Sequence, residues 1–129
     1  MTDARRERGQ QGERMAEQYL IQKGLRLQER NFRTARGEID LILWDKEVLV
    51  FVEVRTRSSL KYGSAIESIT WQKQKKLREM ALAYLQTRQE PIRQFRFDVV
   101  GIQYGRSEGR LEGQTNHSPA ITHIVHAFS

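Results

Sequence analysis

The sequence predicts an α/β domain built on a single sheet, and three features carry that expectation. Two strongly apolar runs, Glu38 to Trp44 and Val48 to Thr56, are separated only by Asp45-Lys46-Glu47 and read as adjacent strands. A long amphipathic helix pattern follows at Thr70 to Gln86. Further strand-like runs close the chain. Helix, three strands, helix, strand, strand is an order that mixes both element types around one sheet, unlike a bundle or a barrel.

The elements follow in order. Residues 2–10 are polar and arginine-rich, and predict a basic N-terminal arm or the start of a helix. From Gly12 to Lys23, Met15, Ala16, Tyr19 and Leu20 recur at helical spacing. Gly24 suits the left-handed position after a helix end. Leu25 to Asn31 reads as a short strand, and Phe32 to Arg36 as a basic connection. The runs 38–44 and 48–56 are strands joined by a hairpin turn at Asp45-Lys46-Glu47. Residues 58–68 form a loop. In the second helix Leu77, Met80, Ala81 and Tyr84 make one stripe, and Pro91 marks the break after it. Arg96 to Ile102 is another strand, residues 103–119 a mobile loop, and Ile121 to Phe128 the last strand. There is no internal repeat, so residues 1–129 are read as one domain.

Composition narrows the setting. No apolar run approaches the roughly 20 residues of a membrane span. Met1 to Arg8 lacks the apolar segment of a secretory signal. Cysteine is absent, which excludes disulfides and thiolate metal sites. A cytoplasmic protein that makes no use of a membrane is expected. The net charge of +6 favours a polyanionic partner, because neutralising phosphates releases counterions. That signal gains weight only where the charges surround a site.

The site is suggested by acids that interrupt the two apolar strands. A carboxylate inside such a run is costly to bury unless it is paired or coordinated. By alternation, Glu38, Asp40, Ile42 and Trp44 share one face, and Leu49, Phe51, Glu53, Arg55 and Arg57 share another. A two-residue connection is expected to oppose Asp40 to Phe51, and a four-residue connection to oppose Asp40 to Glu53. Both bring the carboxylates to roughly 5–8 Å at Cβ. Two acids that close repel each other unless one protonates or a cation joins them. Mg²⁺ or Mn²⁺, with one or two carboxylates, waters and phosphate oxygens, resolves the conflict. The Val54 carbonyl is a further candidate ligand. Arg55, on the Glu53 face, can steady charge on a phosphate. Lys73 extends the stripe of the second helix toward the same place, with Gln72 beside it. Arg30, Arg33 and Arg36 before the first acidic strand, and Arg57 and Lys76 after the second, frame the carboxylates for a polyanionic substrate.

A plainer reading accompanies each choice. Glu53–Arg55 or Asp40–Arg57 can be salt bridges on an exposed sheet edge. Glu38 can cap the strand start or pair with Arg36, Glu13 can be a solvated helix residue, and Asp98 can partner a core-facing basic group. His123 and His126 lie on opposite strand faces by parity, which argues against a shared zinc. Trp44, Trp71 and Tyr62 can stack on unpaired bases, although core packing or an exposed loop aromatic accounts for them more simply.

The motifs together resemble the PD-(D/E)XK nuclease superfamily, and the chain resembles most closely the YraN-type bacterial family related to archaeal Holliday-junction resolvases. The matching residues are Gly12-Glu13, Ala16, Tyr19-Leu20, Arg30-Asn31, Gly37 to Ile42, Phe51 to Arg57, Gln72-Lys73 and Arg96 to Val99. The resemblance implies a restriction-endonuclease-like mixed β-sheet flanked by helices. It implies Asp40 and Glu53 as metal ligands, with Glu13 as a third acid from the first helix. Arg55 stands where the superfamily has its lysine, and Ile39 where a proline precedes the first Asp. The expected function is a Mg²⁺- or Mn²⁺-dependent endonuclease acting on DNA more readily than RNA, on branched or repair and recombination intermediates. By analogy with two-fold junctions a homodimer is plausible. The alternative is a catalytically weak or inactive nucleic-acid-binding accessory protein.

Overall fold

The computed structural model describes residues 4–57, 66–104 and 119–129. Helix α1 spans Ala4–Gln22, and strands β1, β2 and β3 span Arg26–Thr34, Gly37–Asp45 and Val48–Arg57. After a short 3₁₀ turn at Ile66–Ser68 come helix α2, Trp71–Gln86, and strands β4, Gln94–Gln103, and β5, Ala120–Phe128. One five-stranded sheet runs in the order β1-β2-β3-β4-β5. Only β3 and β4 are parallel, and α2 lies in the connection between them. The fold is mixed α/β with a restriction-endonuclease-like arrangement. Among the described residues no helix is long and apolar enough to cross a membrane.

The helices cover opposite faces of the sheet. Ala16 and Leu20 of α1 pack with Leu41, Leu43, Val50, Val52, Val100 and Ile102. Leu77, Met80, Ala81 and Tyr84 of α2 pack with Ile39, Ile42, Leu49, Phe51, Phe97 and Val99. β3 therefore buries both its faces, which is why it reads as an unbroken Val-Leu-Val-Phe-Val run.

Both helices stop and start on local chemistry. α1 ends with Gly24 at φ +103; its N–H donates to the Ile21 carbonyl at 2.9 Å and the Leu25 N–H to the Leu20 carbonyl at 3.1 Å. That is a Schellman cap, and Leu20 and Leu25 meet in the same core cluster. α2 begins at Thr70, whose hydroxyl accepts the Lys73 N–H at 3.1 Å.

Several expectations need correction. Of the two readings of the arginine-rich segment the helix start is the one seen: the chain is helical from Ala4 onward, so residues 4–10 belong to α1 and not to an arm. The proposed basic connection 32–36 is mostly strand: β1 runs to Thr34, and only Ala35 and Arg36 turn the chain into β2. Phe32 anchors this extension by packing edge-on against Tyr84. The β2–β3 register joins Asp45 to Val48 and Leu41 to Val52 across a two-residue turn of Lys46 and Glu47, with Lys46 at φ +56. That register, continued, sets Asp40 opposite Glu53, so a two-residue connection produces the direct opposition assigned above to a four-residue one. Most of the loop expected at 103–119, and residues 58–65 of the earlier loop with Tyr62, lie outside the described residues.

Asp98 is the partner of core-facing basic groups. It is 1% exposed; Arg96 Nε donates to it at 3.0 Å, the His126 backbone N–H at 3.0 Å, and His123 Nε2 lies 2.8 Å away. Arg96 also reaches Asp45 at 2.9 Å. Burial pushes the Asp98 carboxyl up, but the bonds from His123, Arg96 and the His126 amide outweigh it and hold it below the usual carboxylate range. Its stabilisation is therefore full above the unfolded value of about 3.9 and disappears as pH falls below that. Asp98→Ala, which strands Arg96 and His123, is expected to cost about 3–5 kcal/mol in urea denaturation at pH 7. The difference between variant and wild type should shrink below about pH 3.9.

Candidate metal centre and nucleic-acid interface

The site lies where β2 and β3 part. The paired ladder between them ends at Leu41 and Val52, and beyond it the Val54 N–H donates to Asp40 Oδ2 at 2.8 Å. Asp40 thus occupies the gap between the strands and satisfies a backbone amide that a carbonyl would otherwise meet. Side-chain alternation breaks at the same point. Ile39 packs on the α2 face and Leu41 on the α1 face, although strict alternation would put them on one face.

Asn31 is the counterpart on β1. Its φ of +52 is left-handed, a conformation that asparagine tolerates better than most residues. This kink turns Arg30 and Asn31 both toward α1. Arg30 grips Glu17 through two bonds of 2.5 and 3.0 Å, and Asn31 Nδ2 donates to Glu13 at 3.1 Å and also to Glu38. One amide therefore ties together acids from α1 and β2.

Oxygens of Glu13, Glu38 and Asp40 lie within 4.8 Å of one another. Glu53 lies beside this group and is 6% exposed, so it does not sit on an exposed sheet edge. Its Oε1 is 3.6 Å from Arg55 and 3.8 Å from Lys73, while its Oε2 is buried without a hydrogen-bond partner. Burial, then Glu53, push the Asp40 carboxyl up to about 8 against the opposing Val54 amide; Glu13 and Glu38 add to the rise. Burial also raises Glu53, against the pull of Lys73 and Arg55. Four oxygen-bearing acids with an unsatisfied buried oxygen among them fit a hard divalent ion such as Mg²⁺ or Mn²⁺. Glu13, Glu38 and Asp40 are the group able to hold it, with Glu53 adjoining.

The other expected residues fall differently. Lys73 of α2 is half-buried and faces Glu53, whereas Gln72 and Lys76 are exposed on that helix. Arg57 is half-buried at the end of β3. Arg36 pairs with Glu79 of α2, not with Glu38, and Arg33 reaches Glu38 at 3.6 Å. Of the three arginines before the acidic strand, only Arg33 thus contacts the acidic group. Trp44 packs against the core on the α2 face and donates to Gln28 at 3.0 Å, whereas Trp71 is 65% exposed at the start of α2. His123 is taken by Asp98 and His126 is exposed, while His117 lies outside the described residues. Two participants were not singled out as site groups: Glu38 as a member of the acidic group and Asn31 as its bridge. A strand acid two positions before Asp40 was the signal available; Asn31 meets the acids only through its left-handed φ.

Gly12 sets how closely α1 approaches. A Cβ there would lie 2.4 Å from Thr56 Oγ1 but 3.7 Å from Thr56 Cβ. A helical glycine costs about 1 kcal/mol relative to alanine, and here it brings the backbone beside Glu13 against β3.

Two outcomes follow from this geometry. Asp40 and Glu53 are raised, so the metal-free folded state binds extra protons above the ordinary carboxylate range and loses stability as pH rises from about 4 to 8. In EDTA the melting temperature should fall over that range. Mn²⁺ at about 100 times its Kd should restore about 2.7 kcal/mol at pH 8. Asp40→Asn should melt higher than wild type in EDTA at pH 8 and lose most of the gain from Mn²⁺. Separately, Gly12→Ala should weaken Mn²⁺ binding about tenfold by calorimetry. Thr56→Ala added to it should recover the affinity, because only the hydroxyl obstructs the new methyl group.

Comparison with known proteins places this arrangement in a family. The family model described as "Uncharacterised protein family UPF0102" matches residues 12–102, which contain every acid of the site. A UPF0102 protein of Pelotomaculum thermopropionicum is 45% identical over 128 residues, covering 99% of this chain and 100% of its own. One of Chlorobium phaeobacteroides is 40% identical over 121 residues, covering 93% and 92%. One of Photobacterium profundum is 48% identical over 101 residues, covering 77% and 81%. The chain belongs to the UPF0102 family, the YraN-type family that its motifs resemble.

Proposed function

We propose that this protein is a divalent-metal-dependent endonuclease that hydrolyses DNA phosphodiester bonds. The observation that carries the reading is the meeting of Glu13, Glu38 and Asp40 beside buried Glu53, with Lys73 and Arg55 against the same carboxylate. Four acids drawn from a helix and two strands cost stability in the absence of a cation, and a purely structural role gives no reason to gather them.

Each residue then has a task. Glu13, Glu38 and Asp40 hold Mg²⁺ or Mn²⁺, and Glu53 adjoins them. An ion held there would polarise a phosphoryl oxygen and lower the pKa of a water. Asn31 fixes Glu13 and Glu38 in place. Lys73 and Arg55 keep Glu53 oriented and supply positive charge toward a phosphate. Lys73, reaching Glu53 from α2 with a compact ammonium group, is placed to orient the attacking water. Arg55 and Lys73 share Glu53, so the lysine from α2 takes the place of the one missing from β3. Branched or recombination intermediates as substrates, and a homodimer to match two-fold junctions, are part of this proposal by resemblance to the resolvases.

Purified protein is expected to cleave branched DNA in Mn²⁺ and to stop when EDTA is added. Asp40→Ala and Glu53→Ala should each lower the rate by about a hundredfold or more. Intact DNA in Mn²⁺, bound with a steep salt dependence, would instead identify the non-catalytic accessory role.

A further inference from the structure

We infer that the groove between α1 and β1 carries the backbone of the substrate strand past the acidic centre, with Arg6 and Arg14 as its phosphate contacts; this rests on the nuclease reading above. Two depressions, of about 210 and 430 Å³, adjoin at Gln10, Glu13 and Asn31. Arg6 lines the first and Arg14 the second. Glu13 and Glu38 of the centre therefore open onto a continuous groove with Arg6 at one end and Arg14 at the other.

Availability separates these two arginines from their neighbours. Across the groove on β1, Arg30 is held by Glu17 and Arg33 lies 3.6 Å from Glu38. Arg6 and Arg14 are exposed and make no ion pair among the described residues. A groove floored by carboxylates repels a phosphodiester, so unpaired cations at its rim are what a polyanion requires. The spacing also fits. Arg6, Gln10 and Arg14 are four residues apart and share one helix face. Eight residues of helix span about 12 Å, enough to set the two guanidinium groups against different phosphates of one strand. Gln10 between them offers hydrogen bonds to the same backbone. Arg30 instead serves the scaffold, binding β1 to α1 through Glu17.

The test is the salt dependence of DNA binding, read by fluorescence anisotropy of a labelled duplex with Ca²⁺ in place of Mg²⁺. Each of Arg6→Gln and Arg14→Gln should reduce the slope of log K against log salt by about 0.9, and the double variant by about 1.8. Arg88→Gln, whose guanidinium lies 3.8 Å from Glu90 outside the groove, should leave the slope at the wild-type value. Melting by circular dichroism checks that the variants fold. If wild type binds but the double variant keeps the full slope, the groove is not the path and the nuclease reading stands. If wild type does not bind DNA at all, the nuclease reading falls and this inference falls with it.

Discussion

Mutual repulsion among carboxylates held out of water is the constraint around which this fold is organised. Burial alone disfavours a charged acid, and three further acids nearby compound the penalty at Asp40. The protein keeps the arrangement regardless, and does so with backbone geometry that has few other uses. β2 and β3 separate after Leu41 and Val52, and the amide released there is given to Asp40. A proton or a divalent ion has to complete the group. The hydrophobic structure on both faces supplies the rigidity that prevents the strands from closing or the acids from turning outward.

That rigidity is distributed in an instructive way. On one face α2 packs its Leu77-Met80-Ala81-Tyr84 stripe, and the same helix presents Lys73 toward Glu53. On the other, Gly12 lets α1 approach β3, and Glu13 reaches the group from the next position. Away from the site, Asp98, Arg96 and His123 form a satisfied polar network that ties β5 to β4. The two sets of buried acids show the contrast between structure and chemistry. Asp98 is surrounded by donors and held below its ordinary range, whereas Asp40 is surrounded by acids and raised.

Much of this was legible in the residues. Two apolar runs joined by a short turn were enough to expect Asp40 and Glu53 on neighbouring strands, and helical periodicity enough to direct Lys73 inward, but strict alternation fails at Asp40. The left-handed turn at Asn31 was not legible, because a single asparagine within a strand does not announce its φ. With it went the length of β1 and the place of Glu38, whose carboxylate depends on Asn31 for orientation. The register that opposes Asp40 to Glu53 is one of the two expected, but its turn is shorter than the four residues expected with it. Loop length was counted as though the turn took residues on both sides of Lys46-Glu47, when Asp45 and Val48 are already paired. The pairing of arginines was equally hidden. Arg30 and Arg36 look like free cations in sequence, and only the packing of α1 and α2 shows that Glu17 and Glu79 occupy them.

The central claim is that a cation replaces a proton in this centre, and calorimetry of Mg²⁺ binding near pH 7 in buffers of differing ionisation enthalpy tests it most directly. A protein whose Asp40 is protonated before the ion arrives must release that proton, so the apparent enthalpy should change in proportion to the buffer's. Proton release approaching one per ion is the predicted result. Binding with an enthalpy that is independent of the buffer, or no binding at all, would contradict the account.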